Sequence, residues 1–329
     1  MKRVGFTTTV PVEIIFASGK IPVDLNNVFI TDDDPSSMAD FAEDEGLPRN
    51  LCAWIKGIYS AVRSGSVDEV VAVTQGDCSN SHALAELFIN SGIKVHTFSY
   101  PFEKEGRYEA LKFEMERFAK SIGTTLEAGI EYSKKTDSVR QKLRKLDKMT
   151  AEGYVTGFEN HLWLVTSTDF NTDHIKYEQE LDEFMKEAAN REPARDRLRL
   201  GFIGVPTIFS DIYEFIEDRG ASVVFNEVQR QFAIPSESED YVQRYVDYTY
   251  PYDVFSRIDD AKTQQEERKL DGLIHYVQSF CYRQIQDIIM KERIDCPILA
   301  IEGDGPSGID ARTKIRIESF LEMLEAKQR

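Results

Sequence analysis

Short apolar runs, each ending in a polar turn and followed by an amphipathic stretch, constrain most strongly what this chain can fold into. KRVGFTTT, NNVFITDD, EVVAVTQG and KVHTFSYP recur toward the N-terminus, and LRLGFIG, ASVVFNEV, GLIHYVQS and PILAIEGD toward the C-terminus. Runs this short and continuous suit strands buried on both faces, and the helical stretches between them supply parallel crossovers. The expected class is α/β, with two doubly wound, mostly parallel-sheet domains and a helical segment between them. From Glu103 to about Arg195, stretches such as RYEALKFEMERFAKSIG and HIKYEQELDEFMKEAAN replace the strand pattern, and charged NREPARDR, with Pro193, precedes LRLGFIG. The expected division is residues 1–103, carrying Cys52 and Cys78, a helical segment over 104–195, and a second α/β domain over 196–329 carrying Cys281. A chain of 329 residues is long enough for two such cores.

Charge and composition narrow the function. A formal net charge of −17 argues against non-specific nucleic-acid binding, which needs basic patches. No run approaches the ~20 apolar residues of a membrane span, and MKRVGFTTTVPVEIIF enters a strand pattern without a signal-peptide core. The expectation is a soluble, cytoplasmic protein. Four cysteines in a chain of this length then read as reduced thiols or metal ligands rather than a disulfide framework.

Three of those cysteines stand where an apolar segment gives way to a helix start: Cys52 in NLCAWIKG, Cys78 in TQGDCSNS and Cys281 in QSFCYRQI. Helix N-termini present free N–H groups and partial positive charge, so such thiols are expected to have lowered pKa values and to be poised as ligands. If the two domains face each other through the C-terminal edges of their strands, all three converge on the cleft where open α/β sheets bind ligands. Cys296 is the control. It precedes Pro297 at the start of PILAIEGD, at the opposite strand end, and reads as buried packing. No CxxC pair is present, so spacing alone leaves open that the thiols are unrelated buried residues.

Other residues are candidates on position alone. Glu302 and Asp304 end PILAIEGD on the site-forming edge, where a carboxylate could transfer protons; capping or a turn is the alternative for Asp304. Glu13 in VPVEII could cap its helix or face the cleft. His82, four residues after Cys78, could share its helix face. His275 reads as a satisfied core residue, and His96, His161 and His174 form no constellation. EGDGPSG lacks the lysine of a phosphate-binding loop and reads as a tight turn, and no GxxxxGK[ST] occurs anywhere.

Taken together and in order, TTTVPVEIIFASGKIPVDL, LCAWIKG, GDCSNS, TGFE at 156–159, QSFCYRQ and CPILAIEGD followed by ARTKIRIESFLEML resemble the 2-hydroxyacyl-CoA dehydratase D-component family. That group includes benzoyl-CoA reductase core subunits and double-cubane cluster proteins, and the resemblance covers nearly the whole chain. It implies that Cys52, Cys78 and Cys281 match three iron–sulfur ligands, that Cys296 matches none, and that a 4Fe-4S cluster with an open iron, or a double-cubane cluster, is bound. It also implies an oxygen-sensitive, anaerobic enzyme: a lyase acting on acyl-CoA, or an oxidoreductase reducing a small molecule. Partners would be a separate ATP-dependent iron–sulfur activator and a second subunit, identical or paralogous, in a dimer. The chain begins almost at VPVEIIFASGKIPV, whereas many dehydratase subunits carry a longer N-terminal region. The rival readings are an electron-relay or structural subunit, and a two-lobed ligand-binding protein with incidental cysteines.

Overall fold

The computed structural model describes residues 1–195 and 197–328. In chain order the elements are β1 (Arg3–Phe6), α1 (Val12–Ala17), β2 (Ile21–Asp24), α2 (Leu25–Ile30), α3 (Pro35–Asp44), α4 (Ala53–Arg63), β3 (Glu69–Gln75), α5 (Asn80–Asn90), β4 (Lys94–Ser99), α6 (Arg107–Ile122) and α7 (Leu126–Ala151). Next come α8 (Gly157–Thr166), a 3-10 turn over Phe170–Thr172, α9 (His174–Ala188), β5 (Leu198–Gly204), α10 (Ile212–Glu217), β6 (Ala221–Asn226), α11 (Glu227–Phe232) and α12 (Tyr241–Val246). The chain closes with α13 (Val254–Arg268), β7 (Gly272–Gln278), α14 (Arg283–Arg293), β8 (Ile298–Gly303) and α15 (Ala311–Gln328).

Two compact units result. The first comprises Met1–Gln141, Thr166–Gln179 and Gln231–Asp253; the second comprises Lys142–Val165, Glu180–Arg230 and Val254–Arg329. Each holds one four-stranded sheet, ordered β2-β1-β3-β4 in the first and β6-β5-β7-β8 in the second, with every pairing parallel. The expected α/β class with two parallel sheets is therefore what the chain adopts. The central strands explain why: Val70, Val71, Ala72 and Val73 of β3 are buried, as is every residue of β7. A strand covered on both faces needs a mainly apolar run, which β3 supplies and β7 supplies apart from His275 and Gln278.

One element differs from its sequence reading. NNVFITDD is not a strand but the body of α2, and the strand beside β1 is the preceding IPVD. Asp24 decides the matter by ending β2 and accepting the backbone N–H of Asn26, which caps α2. Among the described residues no helix is long and apolar enough to cross a membrane.

In both sheets the chain leaves the first strand for one edge and returns on the other side, so the strand order reverses between β1 and β3 and between β5 and β7. Open α/β sheets bind ligands at the strand C-termini beside that reversal. Backbone packing there is tight. Gly76, just past β3, has φ +99°, and a Cβ on it would lie 2.7 Å from Pro251. Gly204, the last residue of β5, has φ +107°, and a Cβ would lie 2.1 Å from the Tyr276 carbonyl oxygen. Glycine is required at both.

Candidate functional site

Cys78 follows β3 by three residues and precedes α5 by two, and Cys281 stands in the same relation to β7 and α14. Their backbones match as well: the Cys78 carbonyl accepts the Ser81 N–H at 3.1 Å, and the Cys281 carbonyl accepts the Gln284 N–H at 3.1 Å. The two thiols thus occupy equivalent positions at the reversal point of their respective sheets. Cys52 is the N-cap residue of α4. The turn before it is clamped by the buried Lys56, whose Nζ donates to Glu43 Oε1 at 2.6 Å and to the Arg49 carbonyl at 2.8 Å. Cys52 and Cys78 both border the buried cluster built around Leu25, Ile58, Val70 and Phe88.

All three thiols are half-buried and reduced, whereas Cys296 is buried within the second unit's core and its thiol is pushed up to about 12 by burial. That agrees with its reading as packing. The expectation of a lowered pKa fails at Cys78. Burial, reinforced by the Asp77 carboxylate, pushes this thiol up to about 11. Asp77 is held in place by accepting from the Cys78 N–H at 2.8 Å and from Ser81 Oγ at 2.7 Å. Desolvation outweighs the N–H groups of the helix start.

Among the described residues, no group of three or more His, Cys, Asp or Glu side chains is positioned to hold a metal ion. Cys52, Cys78 and Cys281 are of the residue type that an iron–sulfur group takes as ligands. Two buried polar atoms in the cysteine-bearing segments lack a hydrogen-bond partner, Trp54 Nε1 two residues past Cys52 and Gln278 Oε1 three residues before Cys281, as does Thr9 Oγ1 in the loop after β1. Buried polar atoms are rarely left so, because each costs about 1–3 kcal/mol.

The weaker candidates fall in different places. Glu13 is fully buried in the first unit with both oxygens occupied: Arg140 Nη2 donates to Oε1 at 2.6 Å and Thr136 Oγ1 at 3.0 Å, while the Tyr241 and Tyr245 hydroxyls each donate to Oε2 at 3.0 Å. Burial alone would push its carboxyl up, but the Arg140 charge and these hydrogen bonds hold it below its ordinary value. His82 is exposed on α5 and its Nε2 meets the Thr74 carbonyl. Glu302 and Asp304 are both exposed at the end of β8 and line a polar cavity of about 380 Å³ in the second unit, together with His275, Asp287, Arg312 and Arg316. EGDGPSG runs from the end of β8 through a bend, and Ser307 forms a bridge with Phe209 while its carbonyl accepts the Ser210 N–H at 3.1 Å.

His275 departs from its reading. It is buried in β7, but only Nδ1 is satisfied, by Asp287 Oδ1 at 3.0 Å, and Nε2 has no partner. The strand pattern correctly signalled burial. It carried no signal of the missing partner, nor of the unpartnered Gln278 Oε1 and Thr9 Oγ1.

The family model described as 2-hydroxyglutaryl-CoA dehydratase, D-component, matches residues 7–324. No curated protein matches the chain. Among solved structures, the SBP FpvC from Pseudomonas aeruginosa in complex with Mn2+ is 13% identical over 98% of this chain and 96% of that chain, with a TM-score of 0.20, too low to bear on the fold. The match from residue 7 to residue 324 takes in strands β2 to β8 and all four cysteines, and the chain belongs to the 2-hydroxyglutaryl-CoA dehydratase D-component family.

Proposed function

We propose that this dehydratase-type component works as an iron–sulfur enzyme, with Cys52, Cys78 and Cys281 as ligands of a 4Fe-4S or double-cubane cluster. The observation that carries the reading is the equivalent placement of Cys78 and Cys281 at the reversal points of two like-ordered sheets, with Cys52 at a helix start. When bound, the cluster supplies one-electron chemistry at low potential and a Lewis-acidic open iron. The protein's own groups do the rest. Asp77 orders the Cys78 turn, Lys56 the Cys52 turn, and the Gln278 carbonyl accepts the Cys281 N–H at 3.0 Å and so fixes the third. Glu302 and Asp304, exposed at a strand C-terminus, are the carboxylates placed to exchange protons with solvent. Glu13, with both oxygens taken, holds the scaffold around α1.

The substrate in this reading is an acyl-CoA, and the electrons come from a separate ATP-dependent iron–sulfur activator, in the cytoplasm of an anaerobic cell. The active form is a dimer, of identical or paralogous subunits. The test is the anaerobic EPR spectrum of the reduced protein, recorded with and without 2-hydroxyacyl-CoA thioesters. A thioester-dependent shift is expected. A shift with small reducible molecules only would instead assign double-cubane reductase activity, and a signal indifferent to every added ligand would make the chain an electron relay.

A further inference from the structure

His275, in the middle of β7, is fully buried, and its ring is held at one nitrogen only. Nδ1 lies 3.0 Å from Asp287 Oδ1, and Asp287 Oδ2 is paired with Lys291 Nζ at 2.6 Å. An ionised carboxylate accepts hydrogen bonds and donates none, so Nδ1 carries the proton and Nε2 of the neutral ring presents a bare lone pair. Nε2 has no partner. A buried acceptor in that state costs stability until something fills it.

The surroundings leave room for an occupant. In the parallel register of β7 and β8, His275 pairs with Ala300 and Val277 with Glu302, so these four side chains stand on one face of the sheet. Only the methyl group of Ala300 stands beside the imidazole on the neighbouring strand, and both residues line the cavity of about 380 Å³. That volume falls at the lower end of the ~300–1,000 Å³ of small-molecule sites.

The charges on the cavity wall select the kind of molecule. Four carboxylates and two guanidiniums line it. Two of the carboxylates are already engaged: Asp287 as described, and Asp310 by accepting the Thr313 N–H at 2.7 Å and Thr313 Oγ1 at 3.1 Å. Glu302 and Asp304 have no hydrogen bond or ion pair among the described residues. Arg312 and Arg316 lie four residues apart in α15 and so on one side of it, and Arg316 Nη2 donates to the Ala300 carbonyl, which holds that guanidinium at the wall. The uncommitted charges are thus two anions at the end of β8 and two cations on α15. A metal cation or a polyanion such as a CoA thioester matches one half and is repelled by the other, whereas a small molecule carrying one charge of each sign matches both.

We propose that this cavity binds a free amino acid, with its ammonium group received by His275 Nε2 and the Glu302 and Asp304 carboxylates and its carboxylate by Arg312 and Arg316. The site adjoins the Cys281 turn through Gln284, a wall residue whose backbone N–H donates to the Cys281 carbonyl at 3.1 Å. No thiol lines it, so the site stands independently of the cluster reading.

Isothermal titration calorimetry of the full chain with each standard amino acid in turn is the test. At least one amino acid is expected to bind at one site per chain, with its decarboxylated amine and its deaminated acid about tenfold weaker or worse. Affinity for that amino acid should fall about tenfold or more in His275→Phe, Arg312→Gln and Glu302→Gln. Arg312 and Glu302 are exposed, so circular dichroism of these two variants should match the wild type, and they decide the matter if His275→Phe does not fold. Absence of binding by every amino acid at millimolar concentration would overturn the proposal. So would equally tight binding of the amine or the acid alone, which would make the site one for a simple cation or anion, and so would an affinity unchanged in Arg312→Gln and Glu302→Gln, which would place the amino acid elsewhere.

Discussion

Asp169 and Asp24 set two carboxyl groups inside the first unit. Asp169 Oδ2 accepts the Asp24 backbone N–H at 2.8 Å and Oδ1 accepts the Asn171 N–H at 3.0 Å, tying β2 to the left-handed run Phe170, Asn171 and Thr172. Burial, with the Asp24 charge beside it, pushes the Asp169 carboxyl up from 3.8 to about 7. A carboxyl with a raised folded-state pKa favours the native state most below its unfolded pKa and loses that contribution as pH rises through the folded value. The stability difference between the wild-type chain and Asp169→Asn should therefore shift against the wild type between about pH 4 and pH 7, by on the order of 2–4 kcal/mol. Urea unfolding of both proteins across that range measures it. A difference independent of pH would mean that Asp169 is not protonated in the native state. The sequence could not show this pairing, because the two residues are far apart along the chain.

At the scale of elements, the approach of α2 to α4 fixes where Cys52 begins its helix. Gly57 lies against the ring of Phe29, and a Cβ there would come within 2.0 Å of Phe29 Cγ. Trp54 meets the same ring edge-on at 5.7 Å. Gly57→Ala should cost about 2–3 kcal/mol through forced displacement of a packed aromatic side chain. Chemical denaturation checks this, and stability equal to the wild type would show that α2 and α4 do not pack so closely. The strands were legible because an interior parallel strand needs a mainly apolar run, as EVVAVTQ has and as GLIHYVQ has on either side of His275. NNVFITDD misled for a related reason: three consecutive apolar residues suit a short helix as well as a strand, and only the capping contact of Asp24 separates the two. The helix starts after Cys52, Cys78 and Cys281 were also legible. The pKa of Cys78 was not, since burial acts through the folded surroundings rather than through the helix start that the sequence announces.

Across the whole molecule, two sheets of the same strand order place Cys78 and Cys281 at matching strand ends, although the sequence around them shows no shared motif beyond the turn. Cys296 sits before β8 at the opposite strand end, within the core. These positions are the basis for assigning three thiols to one cluster and the fourth to packing. The direct measurement is the iron and sulfide content of the anaerobically purified chain and of Cys52→Ala, Cys78→Ala, Cys281→Ala and Cys296→Ala. The account predicts a brown protein whose iron and sulfide are lost or sharply reduced in the first three variants and retained in Cys296→Ala. Full retention in Cys78→Ala, or loss in Cys296→Ala alone, would contradict it.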